Sequence, residues 1–246
     1  MRFAVLADIH GNSAALNAVL SDMDTLGIAD AINLGDHFSG PLDAHGTAEL
    51  LTARNFPSIQ GNHDRWLLGK DPSEMGASDK VAFDKLSQDH LGWIETLPPT
   101  QFFCGEVFLC HGTPTSDLTY WLERVNEDGS IRTATLDEIE EDAQGINASL
   151  ILCGHTHIPR QVRLRDGRVI LNPGSVGCPG YYNDQPVHHR MQAGTPNASY
   201  AVVEKTNDAW LITFRSVPYD GRKMIELAEA NGRMEWSRAL KTGWID

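Results

Sequence analysis

Through the first half of the chain, short β-branched and aliphatic runs alternate with amphipathic segments. Phe3–Ala7 predicts a strand, Ala14–Met23 a helix, Ala31–Leu34 a strand, Ala44–Thr52 a helix and Ser58–Gln60 a strand. That rhythm predicts α/β architecture. Residues Arg65–Leu97 carry a helical pattern, ended by Pro98-Pro99, which cannot continue a helix. Strand-like runs return at Gln101–Phe103, Val107–Cys110, Leu150–Cys153, Gln161–Leu164 and Val169–Leu171, and the acidic segment Thr135–Ala143 predicts a solvated helix. Arg165–Arg168 and Lys205–Asp208 have the polar composition of hairpin turns, so the second half is expected to be richer in antiparallel sheet. From about residue 220 the pattern is helical to the end, with Asn231-Gly232 separating two helices. Gly180–Ala198 is a polar stretch expected to be a loop at the rim or over the top of a site.

The length of 246 residues suits one domain spanning residues 1–246, and 41% hydrophobic with 22% charged residues is an ordinary globular composition. The net charge of −13 disfavours long nucleic acid, which is bound through basic faces that neutralise phosphates. The 4 cysteines show no C-x-x-C spacing, so free thiols, mostly buried, are expected rather than disulfides or a zinc ribbon. No run has the length of a membrane span and the opening apolar run is too short for a signal peptide, so the expected compartment is the cytoplasm. Oligomeric state is not legible.

Candidate chemistry lies in five separated motifs: Asp8-Ile9-His10, Gly35-Asp36, Gly61-Asn62-His63-Asp64, His111-Gly112 and Gly154-His155-Thr156-His157. Each follows an apolar, strand-like run, and side chains just beyond strand ends gather along one edge of an α/β sheet. Imidazole and carboxylate ligands together suit Mn²⁺, Fe²⁺, Ni²⁺, Zn²⁺ and similar divalent cations. The candidate ligands are Asp8, His10, Asp36, Asn62, His111, His155 and His157, too many for one tetrahedral ion. If Asp36 bridges two ions, Asp8, His10 and His157 complete one, while Asn62, His111 and His155 complete the other. Two dications against two carboxylates and a bridging hydroxide leave a charge of roughly +1, suited to phosphoryl oxygens, with the hydroxide as nucleophile.

In this order, D-x-H, G-D, G-N-H-D, H-G and G-H-T-H resemble the signature of the calcineurin-like metallophosphoesterase superfamily, over residues 3 to about 177. The resemblance implies a four-layer α/β/β/α sandwich and the same partition of ligands. It also implies a place for His63 beside the scissile phosphate as leaving-group acid or oxyanion partner; Asp64, by its position beside the motif, is expected to be a structural partner rather than a catalyst. The run Gly35-Asp36-His37-Phe38-Ser39-Gly40-Pro41 departs from the G-D-x-V-D-R-G of protein serine/threonine phosphatases, which argues against phosphoprotein substrates. Gly40-Pro41, His111–Pro114 and Asn172–Gly177 are instead similar to the small prokaryotic phosphodiesterase-like branch. The implied activity is hydrolysis of a phosphodiester, pyrophosphate or phosphomonoester in a small molecule, with a nucleotide as the expected class.

Two other functions use the same letters. A non-catalytic protein-binding scaffold of this fold would have lost ligands or the catalytic histidine, whereas all are retained here. A nuclease would need a basic groove, which 20 basic against 33 acidic residues do not suggest. His37, His45, His90, His188 and His189 match no motif and are expected to be structural or solvated. Tyr120 and Trp121 are expected in the core or at an interface.

Overall fold

The computed structural model describes residues 1–207 and 209–245. The first sheet has the order β13-β12-β1-β2. In it, β1 (Arg2–Leu6) runs parallel to β2 (Ala31–Asn33) and antiparallel to β12 (Ala198–Thr206), which pairs in turn with β13 (Ala209–Val217). The second sheet has the order β3-β4-β7-β9-β8. There, β4 (Val107–Leu109), β7 (Leu150–Leu152) and β9 (Val169–Asn172) are parallel, flanked by antiparallel β3 (Gln101–Phe103) and β8 (Arg160–Arg163).

Strand alternation explains why the sheets stack. Phe3 and Val5 of β1, Val107 and Leu109 of β4, and Leu150 and Leu152 of β7 all enter one buried cluster between the sheets. The intervening positions face outward and are equally apolar. Ala4 and Leu6 pack under α1 (Ser13–Thr25) and α2 (Ala44–Thr52), whereas Phe108 and Ile151 pack under Trp121 and α6 (Leu136–Asp142). Strands covered on both faces read as continuous apolar runs, and the result is the expected four-layer α/β/β/α sandwich. Two terminal helices, α7 (Arg222–Ala230) and α8 (Met234–Thr242), form a further cluster with Leu42 and Cys178 beside the ends of the strands.

Several local expectations change. The helical stretch after Arg65 is three short helices, α3 (Asn62–Gly69), α4 (Ala77–Phe83) and α5 (Gln88–Glu95). It breaks first at Lys70, whose backbone is extended ahead of Asp71-Pro72. Ser58–Gln60 makes only a single bridge from Ser58 to Asn33, because Pro57 supplies a carbonyl but no N–H. The polar stretch 180–198 is no loop: it contains a hairpin of β10 (Gly180–Asn183) and β11 (His189–Gln192), concealed because its strands are polar on one face. A further hairpin, β5 (Glu123–Val125) with β6 (Ile131–Thr133), has no clear hydrophobic signal. The β12–β13 connection falls where a turn is expected, although Asp208 lies outside the described residues. All four cysteines are free, Cys104 exposed and the other three buried. Among the described residues, no helix is long and apolar enough to cross a membrane.

Backbone contact between loops sets the strand-end geometry. A Cβ on Gly177 would lie 1.8 Å from the Ile9 carbonyl oxygen, and the Gly177 N–H itself donates to the Asp8 carbonyl at 3.1 Å. Only a residue without Cβ permits this approach. Gly177→Ala should therefore push the Asp8–His10 turn out of place and cost about 2–3 kcal/mol, as for other overpacked sites. Urea denaturation measures it, and an unchanged midpoint would mean that the turn yields freely.

Candidate metal centre

The parallel strands β1, β2, β4 and β7 deliver Asp8, Asp36, His111 and His155 two or three positions beyond their ends. At these junctions the backbone turns left-handed: φ is 55° at Asp8, 51° at His10, 55° at Asp36, 69° at His155 and 62° at His157. Non-glycine residues adopt this region at a cost on the order of 1 kcal/mol or more each, so the surrounding hydrogen bonds must hold them there. They do. Asp8 N–H donates to Gly35 O and His10 N–H to Asp36 O, both at 3.0 Å, and the Ser175 hydroxyl donates to Asp8 O at 2.7 Å.

The two aspartates and four histidines among the expected ligands each use one polar atom on the protein and turn another toward the cluster. Asp8 Oδ2 accepts the His155 N–H at 3.1 Å, while Asp8 Oδ1 has no partner. Asp36 Oδ1 accepts the His63 N–H at 2.9 Å, leaving Oδ2 3.3 Å from His111 Nε2 and 3.8 Å from His10 Nε2. His10, His111 and His157 donate Nδ1–H to the carbonyls of Ser39, Leu34 and Cys178 at 2.7, 2.8 and 2.7 Å, which turns each Nε2 lone pair inward. His155 has the reverse tautomer, its Nε2 donating to Leu118 O at 3.2 Å so that Nδ1 is free.

Ligating atoms of Asp8, His10 and His157 lie within 4.8 Å of one another, as do those of Asp36, His111 and His155. His10 Nε2 and His157 Nε2 face each other at 3.2 Å, an arrangement of two acceptors that a cation or a proton must relieve. Asp8 Oδ1, Asn62 Oδ1 and His111 Nε2 are buried without any hydrogen-bond partner. Orphaned atoms of this kind are expensive in a folded protein. Oxygen and imidazole donors gathered in two groups fit two divalent cations.

The electrostatics follow from burial against charge. Burial would raise the Asp8 and Asp36 carboxyls, but His157 and His111 hold Asp8 below its ordinary value, and His111 and His63 hold Asp36 well below. Burial lowers His10 to about 4 and His155 to about 3, aided in His155 by the charge of His111. His111 is raised to about 10 because Asp36 and Asp8 outweigh its desolvation. His63 is also raised: burial opposes its charge, and Asp36 together with Asp79 overcomes that.

His63 stands at the edge of the cluster with a support absent from the motif pattern. Its Nδ1–H reaches Asp79 Oδ1 at 2.6 Å and Ser39 Oγ at 3.1 Å, while the Ser39 hydroxyl donates to the same Asp79 oxygen at 2.6 Å. Asp79 comes from α4, inside a helical run that offers no sequence signal for this role, whereas Ser39 stood inside the Gly35–Pro41 motif. Asp64 is structural, as expected. Its carboxylate accepts the N–H groups of Asp36, Gly61 and His37 at 2.7, 2.9 and 3.2 Å and the His37 ring at 2.8 Å, fastening two motifs together.

Aromatic rings pack against the histidines: Trp66 on His63 at 4.8 Å, Tyr120 on His155 at 5.0 Å, Tyr181 on His157 at 4.5 Å and Trp236 on His10 at 6.0 Å. None of these except Tyr120 stood out in the sequence. Above the cluster opens a cavity of about 710 Å³, reached by Asp36, Asn62 and His63 from below and by the β10–β11 hairpin and α8 from the sides. The stretch expected at the rim thus forms a wall.

A family model described as a calcineurin-like phosphoesterase superfamily domain matches residues 1–204. An uncharacterized protein of Methanocaldococcus jannaschii is 27% identical over 255 aligned positions, covering 95% of this chain and 94% of that protein. The crystal structure of a metallophosphoesterase from Sphaerobacter thermophilus superposes with a TM-score of 0.79 at 24% identity, covering 99% of this chain and 100% of the other. A hypothetical protein from Pyrococcus horikoshii superposes with a TM-score of 0.76 at 19% identity, covering 99% and 98%.

Asp36 Oδ2 lies between the two histidine groups, 3.3 Å from His111 and 3.8 Å from His10, and Asp8 Oδ1 lies 3.4 Å from His157 and 3.9 Å from His111; the motif order assigns the shared position to Asp36. Asp36→Asn should therefore lower divalent-cation uptake at both positions, whereas His111→Ala should empty chiefly one and His10→Ala chiefly the other. Elemental analysis with anomalous scattering reads the two positions separately. Full retention of both cations in Asp36→Asn would exclude the bridging geometry.

Proposed function

The chain belongs to the calcineurin-like phosphoesterase superfamily and is a metal-dependent phosphoesterase, and we propose that it hydrolyses a phosphodiester or pyrophosphate of a nucleotide-like small molecule at a dinuclear centre. The observation that carries the reading is the convergence of two groups, Asp8, His10 and His157 and Asp36, His111 and His155, each with ligating atoms within 4.8 Å of one another, beside a cavity of about 710 Å³ that Asn62 also lines. Asp8, His10 and His157 would hold one ion and Asn62, His111 and His155 the other, with Asp36 shared. Such ions supply Lewis acidity toward phosphoryl oxygens and a water of lowered pKa.

The remaining chemistry belongs to the chain itself. Hydrogen bonds from His10, His111, His155 and His157 to backbone carbonyls fix which ring nitrogen faces the centre, so the donor set is pre-organised before substrate arrives. His63 is fixed through Nδ1 by Asp79 and Ser39, which leaves Nε2 as the nitrogen presented to a substrate oxygen in the cavity. Asp79 thereby acts as a positioning residue: it stabilises the imidazolium and aims the Nε2–H at the leaving oxygen. Trp66, packed edge-on to the ring at 4.8 Å, restricts the alternative rotamers.

The direct test is hydrolysis of a panel of cyclic nucleotides, dinucleoside polyphosphates, phosphomonoesters and phosphoproteins after loading with Mn²⁺, Fe²⁺, Ni²⁺ or Zn²⁺. Turnover of none of them by cation-loaded protein would overturn the reading. Within it, His63→Gln should retain both cations yet lose roughly 10²–10⁴-fold in kcat on esters with alkoxide leaving groups. The loss should shrink for 4-nitrophenyl esters, whose leaving group needs no proton. Asp79→Asn should follow the same leaving-group dependence with a smaller loss. A uniform loss across leaving groups of graded pKa would assign His63 to oxyanion stabilisation instead.

A further inference from the structure

The family match ends at residue 204, ahead of α7 and α8, yet α8 with its N-cap residue Arg233 supplies Arg233, Glu235 and Trp236 to the cavity over the cluster. Trp236 is buried, packs on the His10 ring at 6.0 Å and fits over Gly40, where an added Cβ would meet its ring at 3.4 Å. The first turn of α8 is thus tied to the Asp8–His10 turn, and the place of Arg233 relative to the centre is set by packing.

Arg233 is the only lysine or arginine among the residues lining this cavity. Its Nε donates to Glu235 Oε1 at 2.6 Å and its Nη1 to Ser78 Oγ at 2.8 Å, while Nη2 has no partner among the described residues. The planar guanidinium is held on two sides with its remaining donors available. The Glu235 carboxylate offsets part of the positive charge, so this position would take one anionic group through directed hydrogen bonds rather than attract polyanions at large. Leu118 and Tyr182 also line the cavity and remain 52% and 43% exposed, with one face of the Tyr182 ring stacked on His188 and the rest open to a ligand.

We infer that α8 selects the substrate, with Arg233 receiving a second anionic group beyond the phosphoryl group at the metal centre and with Leu118, Tyr182 and Trp66 enclosing a planar apolar part between them. This rests on the hydrolytic reading above. The substrate class it names is a nucleotide bearing a second phosphate on the side away from the scissile bond.

The test uses one chromophore in two contexts, thymidine 5′-(4-nitrophenyl phosphate) with and without a 3′-phosphate, assayed on Mn²⁺-loaded protein. Charge-assisted hydrogen bonds predict that wild type prefers the 3′-phosphorylated ester by roughly ten- to hundredfold in kcat/KM, chiefly through KM. Arg233→Met should erase that preference and Arg233→Lys should keep part of it. Equal rates in wild type, or a preference that survives in Arg233→Met, would overturn the inference. Calorimetric binding of thymidine 3′,5′-bisphosphate against thymidine 5′-phosphate provides a readout independent of turnover. If wild type hydrolyses neither ester, the hydrolytic reading is decided by the substrate panel above, while the binding comparison decides the role of Arg233: discrimination lost in Arg233→Met supports it, and no discrimination in wild type refutes it.

Discussion

Two carboxylates, Asp8 and Asp36, are buried to 0% and 1% exposure at the centre of the molecule, and most of the surrounding structure compensates for taking them out of water. An ion in such a place costs on the order of several kcal/mol unless it is paired and hydrogen-bonded. Each carboxylate has one oxygen satisfied by a backbone N–H, and the other is turned toward imidazoles. The imidazoles are themselves buried and each is tethered through its outer nitrogen to a carbonyl. The balance is incomplete in the protein alone, since Asp8 Oδ1, Asn62 Oδ1 and His111 Nε2 have no partner. Divalent cations, which the family implies, would complete it, and their binding would then be the counterpart of the burial rather than an addition to it.

The compensation also explains the backbone. Placing several ligating atoms around one point demands that strand-end side chains turn inward, and at five of these residues the chain does so through a left-handed conformation. Such strain persists only where neighbouring structure over-determines it. Asp64 gathers three backbone N–H groups from two motifs, Ser175 holds the Asp8 carbonyl, and Gly177 allows its loop to lie directly against Ile9. Two stacked sheets provide the rigid base, because their strands are buried on both faces and cannot leave the layers without exposing apolar side chains to water. Function at the strand ends and stability between the sheets are consequences of the same layered packing.

Around this centre, different parts of the chain carry different duties. Motifs that end the parallel strands supply the donors, α4 supplies the carboxylate that orients His63, and the β10–β11 hairpin with α8 forms the walls of the cavity. On the proposed reading, phosphoryl chemistry would be separated from recognition, with the donors set by the fold and the substrate met by the walls. The aromatic residues join the two duties, as Trp66, Tyr181 and Trp236 each pack on a histidine of the cluster and also face the cavity.

The amino-acid sequence by itself determined the α/β architecture, the two terminal helices and the set of residues brought together at the centre, while the four layers followed from the family resemblance that its motifs carry. Short continuous apolar runs and motifs directly after them are local facts, and strand ends in an α/β sheet converge whatever the detailed loops. It did not determine the hairpin at 180–198 or the breaks within 62–97. There the strands are half polar and the helices short, so local pattern is weak and tertiary pairing decides. Nor could it disclose Asp79 behind His63, the inverted tautomer of His155 or Arg233 at the mouth of the cavity. Each of these depends on contact between positions far apart in sequence, 16 residues for His63 with Asp79, 37 for His155 with Leu118 and 155 for Arg233 with Ser78. Contacts of that kind leave no periodic trace along a single chain, and only the packed structure brings them within hydrogen-bond reach.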